Sequence, residues 1–358
     1  MKTVNIIANY SSLYAGNFIP SLLSLAKDLK NKCNVVFSFP NRARERFWCQ
    51  KIEENGFKVC FFGDHLIRDL KRINKEQHSD VLYTHFLSTP IVKLLSPISH
   101  KTKLIIHVHS DFSGGDQRRS LNKRFKTLVF GRILRSDTKY IYVSKDLMIH
   151  EKTKNSYYVR NAISVNRIIS ETFNANEFKV KHAYKKEKMH FLMFGWSPYI
   201  KGVDIVINTF NSLSENIKKM VQLTIVHNFN KKDEFQQFVY EKCEKINFDL
   251  ISCNPTEDVF GLFKLHDVFI SASRSEGFSY SVLEAIYSGL SVLVSDIPGT
   301  SWSTNYGATS FSNEDDLAKK IQEFVANPKQ NKKIDQSLIN DFSIEEWSKK
   351  ISSIICEE

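Results

Sequence analysis

Short apolar, β-branched runs alternate with amphipathic stretches along the whole chain. VNIIAN (4–9) and CNVVFSF (33–39) flank FIPSLLSLAKDLK (18–30), whose apolar residues recur at helical spacing. FKVCFF (57–62), VLYTHF (81–86), LIIHVHS (104–110) and YIYVS (140–144) continue the series, with helical stretches between them. The alternation pauses in a polar, Lys-rich stretch. It resumes with FLMFG (191–195), LTIVHN (223–228), VFISAS (268–273) and LSVLVSD (290–296). Alternating strands and helices imply parallel sheets covered by helices on both faces. Two such series predict an α/β chain of two Rossmann-like domains, residues 1–165 and 189–340, joined by a linker at 166–188. The tail 341–358 carries Ser343 with Glu346 three residues on, a capping box that predicts a last helix.

Composition narrows the class. With 358 residues, 42% hydrophobic and 25% charged, the chain has the make-up of a folded globular protein. No stretch approaches the roughly 18 apolar residues of a spanning helix. The start, MKTVNIIANYSS, reads as a first strand rather than a secretory leader. The six cysteines show no C-x-x-C spacing, as expected of reduced thiols in a cytoplasmic protein.

Charge divides the chain. Residues 1–162 hold 28 Lys and Arg against 13 Asp and Glu, and the remainder holds 22 against 26. RRSLNKRFKTLVFGRILR (118–135) contains Arg118, Arg119, Lys123 and Arg124, and NRARERFWCQK (41–51) contains Arg42, Arg44 and Arg46 beside Trp48. A basic face with interfacial aromatics suits an anionic bilayer or a lipid-linked acceptor, which predicts peripheral contact with the inner face of the cell membrane. A solvated helix face accounts for the same residues. No nucleic-acid recognition module is present.

Glycine is scarce, 13 in the whole chain, and five fall in two segments of the second half. No GxGxxG follows the first strand and no GxxxxGK[ST] occurs, which argues against a dehydrogenase and a P-loop enzyme. Residues 271–299 read SASRSEGFSYSVLEAIYSGLSVLVSDIPG. A strand end, a loop with Glu276 and Gly277, and a helix over about Ser279–Ser288 would present helix-terminal amides to a phosphate. Glu284, in that helix, can accept two hydrogen bonds from vicinal hydroxyls such as those of a ribose.

This segment resembles the signature S-x-x-E-G-F-x-x-x-x-x-E-A-x-x-x-G-x-P-V of retaining glycosyltransferases with the GT-B fold, in which two Rossmann-like domains face each other across a cleft. Ser273, Glu276, Gly277, Phe278, Glu284, Ala285, Gly289 and Val292 match, and Ser291 replaces the Pro. FGWSPYIKGVD (194–204) is similar to the family's G-R-x-x-x-x-K-G, with Gly195, Lys201 and Gly202 matching and Trp196 in place of the Arg. The resemblance implies that Glu276 and the amides of Gly277, Phe278 and Ser279 hold the donor sugar, that Glu284 holds the ribose, and that Lys201 grips the diphosphate. Arg274 is a candidate for the charge missing at Trp196. Gly16 sits where relatives have a turn over the diphosphate, and His109 ends a strand where the family's histidine faces the donor sugar. His107 shares its face, and His85 ends another strand.

The resemblance thus assigns the reaction to His109, Lys201 and Glu276. It implies sugar transfer with retention from a nucleotide-sugar, UDP-linked, to a saccharide or lipid-linked acceptor in bacterial surface polysaccharide synthesis, such as capsule or exopolysaccharide. No cofactor or metal is required on this reading, and no acidic or histidine spacing along the chain suggests a metal site. A non-hydrolysing nucleotide-sugar 2-epimerase and a non-catalytic partner subunit of the same fold are the alternatives.

Overall fold

The computed structural model describes residues 1–87, 102–109, 137–151, 155–227, 232–243, 245–328 and 336–357. The chain divides into two compact units, Met1–Ser170 with Phe342–Glu358, and Glu171–Asp341.

The first unit carries a seven-stranded sheet. Its strands are β1 (Lys2–Ala8), β2 (Cys33–Pro40), β3 (Lys58–Phe62), β4 (Val81–His85), β5 (Lys103–Val108), β6 (Lys139–Tyr142) and β7 (Ser156–Tyr158). They lie in the order β3-β2-β1-β4-β5-β6-β7, and every neighbouring pair is parallel. β1 shows why its run is mostly apolar. Val4, Ile6 and Ala8 enter the core under one face while Ile7 enters the core under the other. A central parallel strand is buried on both sides and needs both.

The second unit repeats the plan with β8 (Met189–Phe194), β9 (Val221–Val226), β10 (Leu250–Cys253), β11 (Val268–Ser271), β12 (Ser291–Ser295) and β13 (Thr309–Phe311). Their order is β10-β9-β8-β11-β12-β13, again parallel throughout. Phe191 and Met193 point into one core, Leu192 and Phe194 into the other.

The linker and three short strands differ from the sequence expectation. The stretch predicted as a linker contains the helix Ala175–Lys181, capped by the Asn174 side chain, and its Phe178 is buried in the second unit. Its lysines are solvated, and that polar surface hid a short packed helix. The strands β7, β10 and β13 are only three or four residues long, too short for periodicity to reveal.

The last helix, Ile344–Cys356, belongs to the first unit. The Ser343 hydroxyl accepts from the Glu346 amide, closing the expected cap. The helix lies on Phe18–Leu29, where the Ser348 hydroxyl donates to that of Ser24 at 2.8 Å, and Trp347, Ile351, Ile354 and Ile355 join the core. All six cysteines are free. No helix among the described residues is long and apolar enough to cross a membrane.

Ile351 is fully buried beneath this helix. Ile351→Ala should therefore cost about 2–5 kcal/mol of unfolding free energy, whereas the exposed neighbour change Lys350→Ala should stay within about 0.5 kcal/mol. Urea titration of both variants checks the pair, and equal midpoints would mean that the helix is not part of the cooperative core.

Candidate active site

In each sheet the strand order reverses at one place, between β1 and β4 and between β8 and β11. Connections leave in opposite directions there, so the strands' carboxyl ends open a crevice where open α/β sheets take ligands. Gly16 and the strand-ending histidines fall at the first of these places, and Lys201, Arg274 and Glu276 at the second.

In the second unit β8 runs into Gly195, where a Cβ would stand 2.9 Å from Val203 Cγ2 and 3.0 Å from Ile225 Cγ2. The short helix Pro198–Lys201 follows and ends at Gly202, in the left-handed region with φ 68°. A Cβ on Gly202 would lie 2.1 Å from the Ala272 carbonyl oxygen, so only glycine lets this loop rest on the end of β11. That approach delivers Lys201 to Glu276. The Lys201 ammonium pairs with Glu276 Oε1, and the Ser273 hydroxyl donates to the same oxygen at 2.9 Å.

The Glu276 loop is held from its other side as well. A Cβ on Gly299 would stand 2.1 Å from the Glu276 carbonyl oxygen. The Trp302 indole N–H donates to the Gly299 carbonyl at 3.0 Å, and its ring stacks on Phe278 with centroids 4.8 Å apart. Ser295 donates to the Ser273 carbonyl at 2.7 Å. Gly277 is half-buried between these supports. The helix Tyr280–Tyr287 then begins after Ser279, which occupies the N-cap position without a side-chain cap bond. Glu284 lies on this helix, buried.

Arg274 departs from its expected role. Its guanidinium makes two bonds to Asp204, at 2.8 and 2.6 Å, donates to the Tyr199 carbonyl and lies 4.2 Å over the Tyr199 ring. The hydrogen bonds to Asp204 push its pKa further up. Arg274 is a strut between the two loops rather than a free cation. Trp196, in place of the family's Arg, stacks on Phe194 at 5.0 Å and remains 43% exposed. Asp204, two residues beyond Gly202, was missed in the sequence, where it reads as an ordinary first-turn acid.

In the first unit β1 leads through Tyr10 to Gly16, left-handed at φ 57°. Trp48 is a correction to the sequence reading. It is 1% exposed, packs on Tyr10 and Phe39, and donates its indole N–H to the Ser12 carbonyl at 3.0 Å. A buried indole whose polar edge is already satisfied cannot lie in a bilayer interface. Arg46 donates to the Ser11 carbonyl at 3.3 Å, and Arg44 lies 4.2 Å over the Phe61 ring, so two of the expected membrane arginines support the loop and the edge strand. Arg42 is exposed. Arg118, Arg119, Lys123 and Arg124 lie outside the described residues.

β4 and β5 bring three histidines together. His85 and His107 are register partners, and His109 follows two residues later on the same face. His85 Nδ1 and His109 Nε2 share a hydrogen bond of 2.9 Å, and the Tyr83 hydroxyl lies 2.5 Å from His107 Nδ1. One ring nitrogen from each of the three lies within 4.8 Å of the others. Spacing along the chain could not show this, because pairing across the sheet joins residues 22 apart. Burial holds all three imidazoles far below the usual histidine pKa, His109 at about 3, and His109 adds to the effect at His85 and His107.

These depressed values set a pH dependence. An unfolded histidine takes up a proton near 6.5 while the folded ones stay neutral, so below that pH the unfolded state binds more protons and stability falls. One unit below, each such histidine costs about 1.4 kcal/mol. Lowering the pH from about 7.5 to about 5.5 should therefore lower stability through these three residues and through His266, whose burial likewise holds its pKa down to about 3. Urea midpoints at the two pH values measure it, and an unchanged midpoint would mean that the cluster carries a proton in the fold.

Residues 174–340 match the family model described as glycosyl transferases group 1. No curated protein sequence matches the chain. Among solved structures, HepE of Anabaena, crystallised with UDP and glucose, superposes with a TM-score of 0.75 at 14% identity, covering 99% of both chains. A glycosyltransferase from Rickettsia africae gives 0.72 at 16% identity over 100% of both. Sucrose-phosphate synthase of Thermosynechococcus elongatus gives 0.72 at 12%, over 99% of this chain and 98% of that one. Most of the second unit thus matches the model of glycosyl transferases group 1, and the chain as a whole shares the two-domain GT-B fold of these structures.

Proposed function

We propose that the protein transfers a sugar from a UDP-sugar, with retention at the anomeric carbon, to an anionic saccharide or lipid-linked acceptor in surface polysaccharide synthesis. The observation that carries this reading is the Lys201–Glu276 pair, held at the reversal point of the second sheet with Glu284 buried in the next helix. An ammonium beside a carboxylate suits a sugar diphosphate. The arriving diphosphate competes with Glu276 for Lys201, and the carboxylate so released accepts bonds from the sugar hydroxyls. The fixed charge of Lys201 and the amides at the start of Tyr280–Tyr287 stabilise the anion that leaves.

Glu284 serves the ribose of the donor in this scheme. A UDP-linked donor is supported by the shared fold of HepE, which has been crystallised with UDP-glucose. No protein nucleophile is called for, since a departing diphosphate oxygen can take the acceptor's proton on the face it leaves. The anionic acceptor rests on the excess of 28 basic over 13 acidic residues in positions 1–162.

The test is donor binding and turnover. Titration calorimetry with UDP-glucose should give a dissociation constant about 10- to 100-fold weaker for Glu284→Gln, the loss of hydrogen bonds to a charged group. Lys201→Met should lower kcat more than it raises KM, because the leaving anion needs the charge most. Unchanged donor affinity in Glu284→Gln would overturn the ribose assignment. Formation of an isomerised nucleotide-sugar in the absence of any acceptor would replace transfer by epimerisation.

A further inference from the structure

We infer that His85, His107 and His109 form a binding site for one divalent transition-metal ion of the zinc type, in the first unit and separate in kind from the Lys201–Glu276 pair. Three observations converge on it. The first is convergence itself, with one ring nitrogen of each histidine within 4.8 Å of the other two. All three project from one face at the carboxyl end of β4 and β5, so rigid paired strands hold them in place.

The second is that the rings offer lone pairs with nothing to accept them. His85 Nε2 and His107 Nε2 are buried and have no hydrogen-bond partner among the described residues. His85 is 1% and His107 3% exposed. A buried N–H left unpaired is rarer in proteins than an under-satisfied acceptor. The favoured tautomers therefore place the proton on His85 Nδ1, toward His109, and on His107 Nδ1, toward Tyr83, which leaves both Nε2 atoms bare. Neutral imidazole, with one bare nitrogen, is the ligand form of histidine.

The third is the surrounding support. Metal-bound histidine usually has its second nitrogen fixed by another group. His107 has this in the Tyr83 hydroxyl, 2.5 Å from Nδ1. Phe18 meets both His85 and His109 edge to face, Tyr83 meets His85 in the same way, and Phe86 stacks on His109, which fixes the ring planes. The 2.9 Å hydrogen bond between His85 Nδ1 and His109 Nε2 fixes the His85 ring and leaves its Nε2 to a ligand. Three imidazole nitrogens are the donor set of zinc sites that keep a water in the fourth position.

Cobalt is the probe, because it takes zinc's geometry and absorbs visible light. Full-length protein stripped with a chelator and titrated with Co²⁺ should develop a tetrahedral d–d band that saturates at one ion per chain. Zn²⁺ should bleach the band and raise the Tm by mass action. His107→Gln and His85→Gln should each abolish the band, and Tyr83→Phe, which keeps all three ligands, should weaken binding about 10- to 100-fold. Circular dichroism of each variant shows whether it has folded, and Tyr83→Phe tests the site even if a histidine change unfolds the unit. Absence of a visible band and of any Zn²⁺ heat in the parent would overturn the site and leave the two Nε2 atoms to ordered water. A band that survives in both histidine variants, or one with thiolate charge transfer in the near ultraviolet, would overturn it in favour of the free cysteines.

Discussion

The geometry around Glu276 depends on two places where backbone meets backbone with no room for a side chain. Gly202 lies against the Ala272 carbonyl and Gly299 against that of Glu276. The loop between β11 and its helix is thus gripped from the β8 side and from the β12 side. Without the first approach Lys201 would not reach Glu276. Without the second the Glu276 backbone would have nothing to lean on, since its own side chain is turned toward Lys201 and Ser273. The contacts around this grip are polar and short-range: the Arg274–Asp204 fork, the Ser295–Ser273 bond and the Trp302 bond to Gly299. A site built on such supports has its charges placed before any ligand arrives, which is the condition for electrostatic stabilisation of a leaving group.

How much of this could be read in the sequence depends on which physical signal a feature leaves there. The central strands and the main helices announce themselves because a strand buried on both faces must be largely apolar, as FLMF is, and as VNIIA is apart from Asn5, which accepts from the Ser38 hydroxyl. The close-approach glycines were legible as rarities, though not the atoms they approach. Short edge strands leave no period to detect, and the helix Ala175–Lys181 buries little besides Phe178. Trp48 and its arginines were misread for a different reason. A basic stretch with a tryptophan looks alike whether the ring faces lipid or core, and only the Ser12 carbonyl, 36 residues away, decides it.

Arg274 makes the same point about charge. Counting cations near a phosphate site treats each as available, yet a guanidinium already forked onto a carboxylate has spent its geometry. With Arg274 bound to Asp204 and Trp196 neutral, Lys201 is the cation at the β8–β11 reversal that pairs with the signature acid. The position that relatives fill with arginine presents an exposed indole ring instead. An aromatic face there exchanges charge for stacking surface.

The histidines extend the argument from pairs to groups. Alternation along LIIHVHS puts His107 and His109 on one face, and alternation along VLYTH does the same for Tyr83 and His85. What neither strand contains is the register that sets His85 beside His107. Once they are paired, packing on Phe18 and Trp347 dries the rings and drives their protons off. A charged cluster in that position would repel itself, so neutrality is what permits three imidazoles to sit together. The same neutrality leaves lone pairs pointing into a buried space, and the Trp347 indole N–H beside them also lacks a partner among the described residues. Unmet donors and acceptors crowded at the end of an otherwise apolar core are an expensive arrangement. A fold needs no such arrangement for stability, since an apolar residue at His85 or His107 would pack there without desolvating a ring nitrogen.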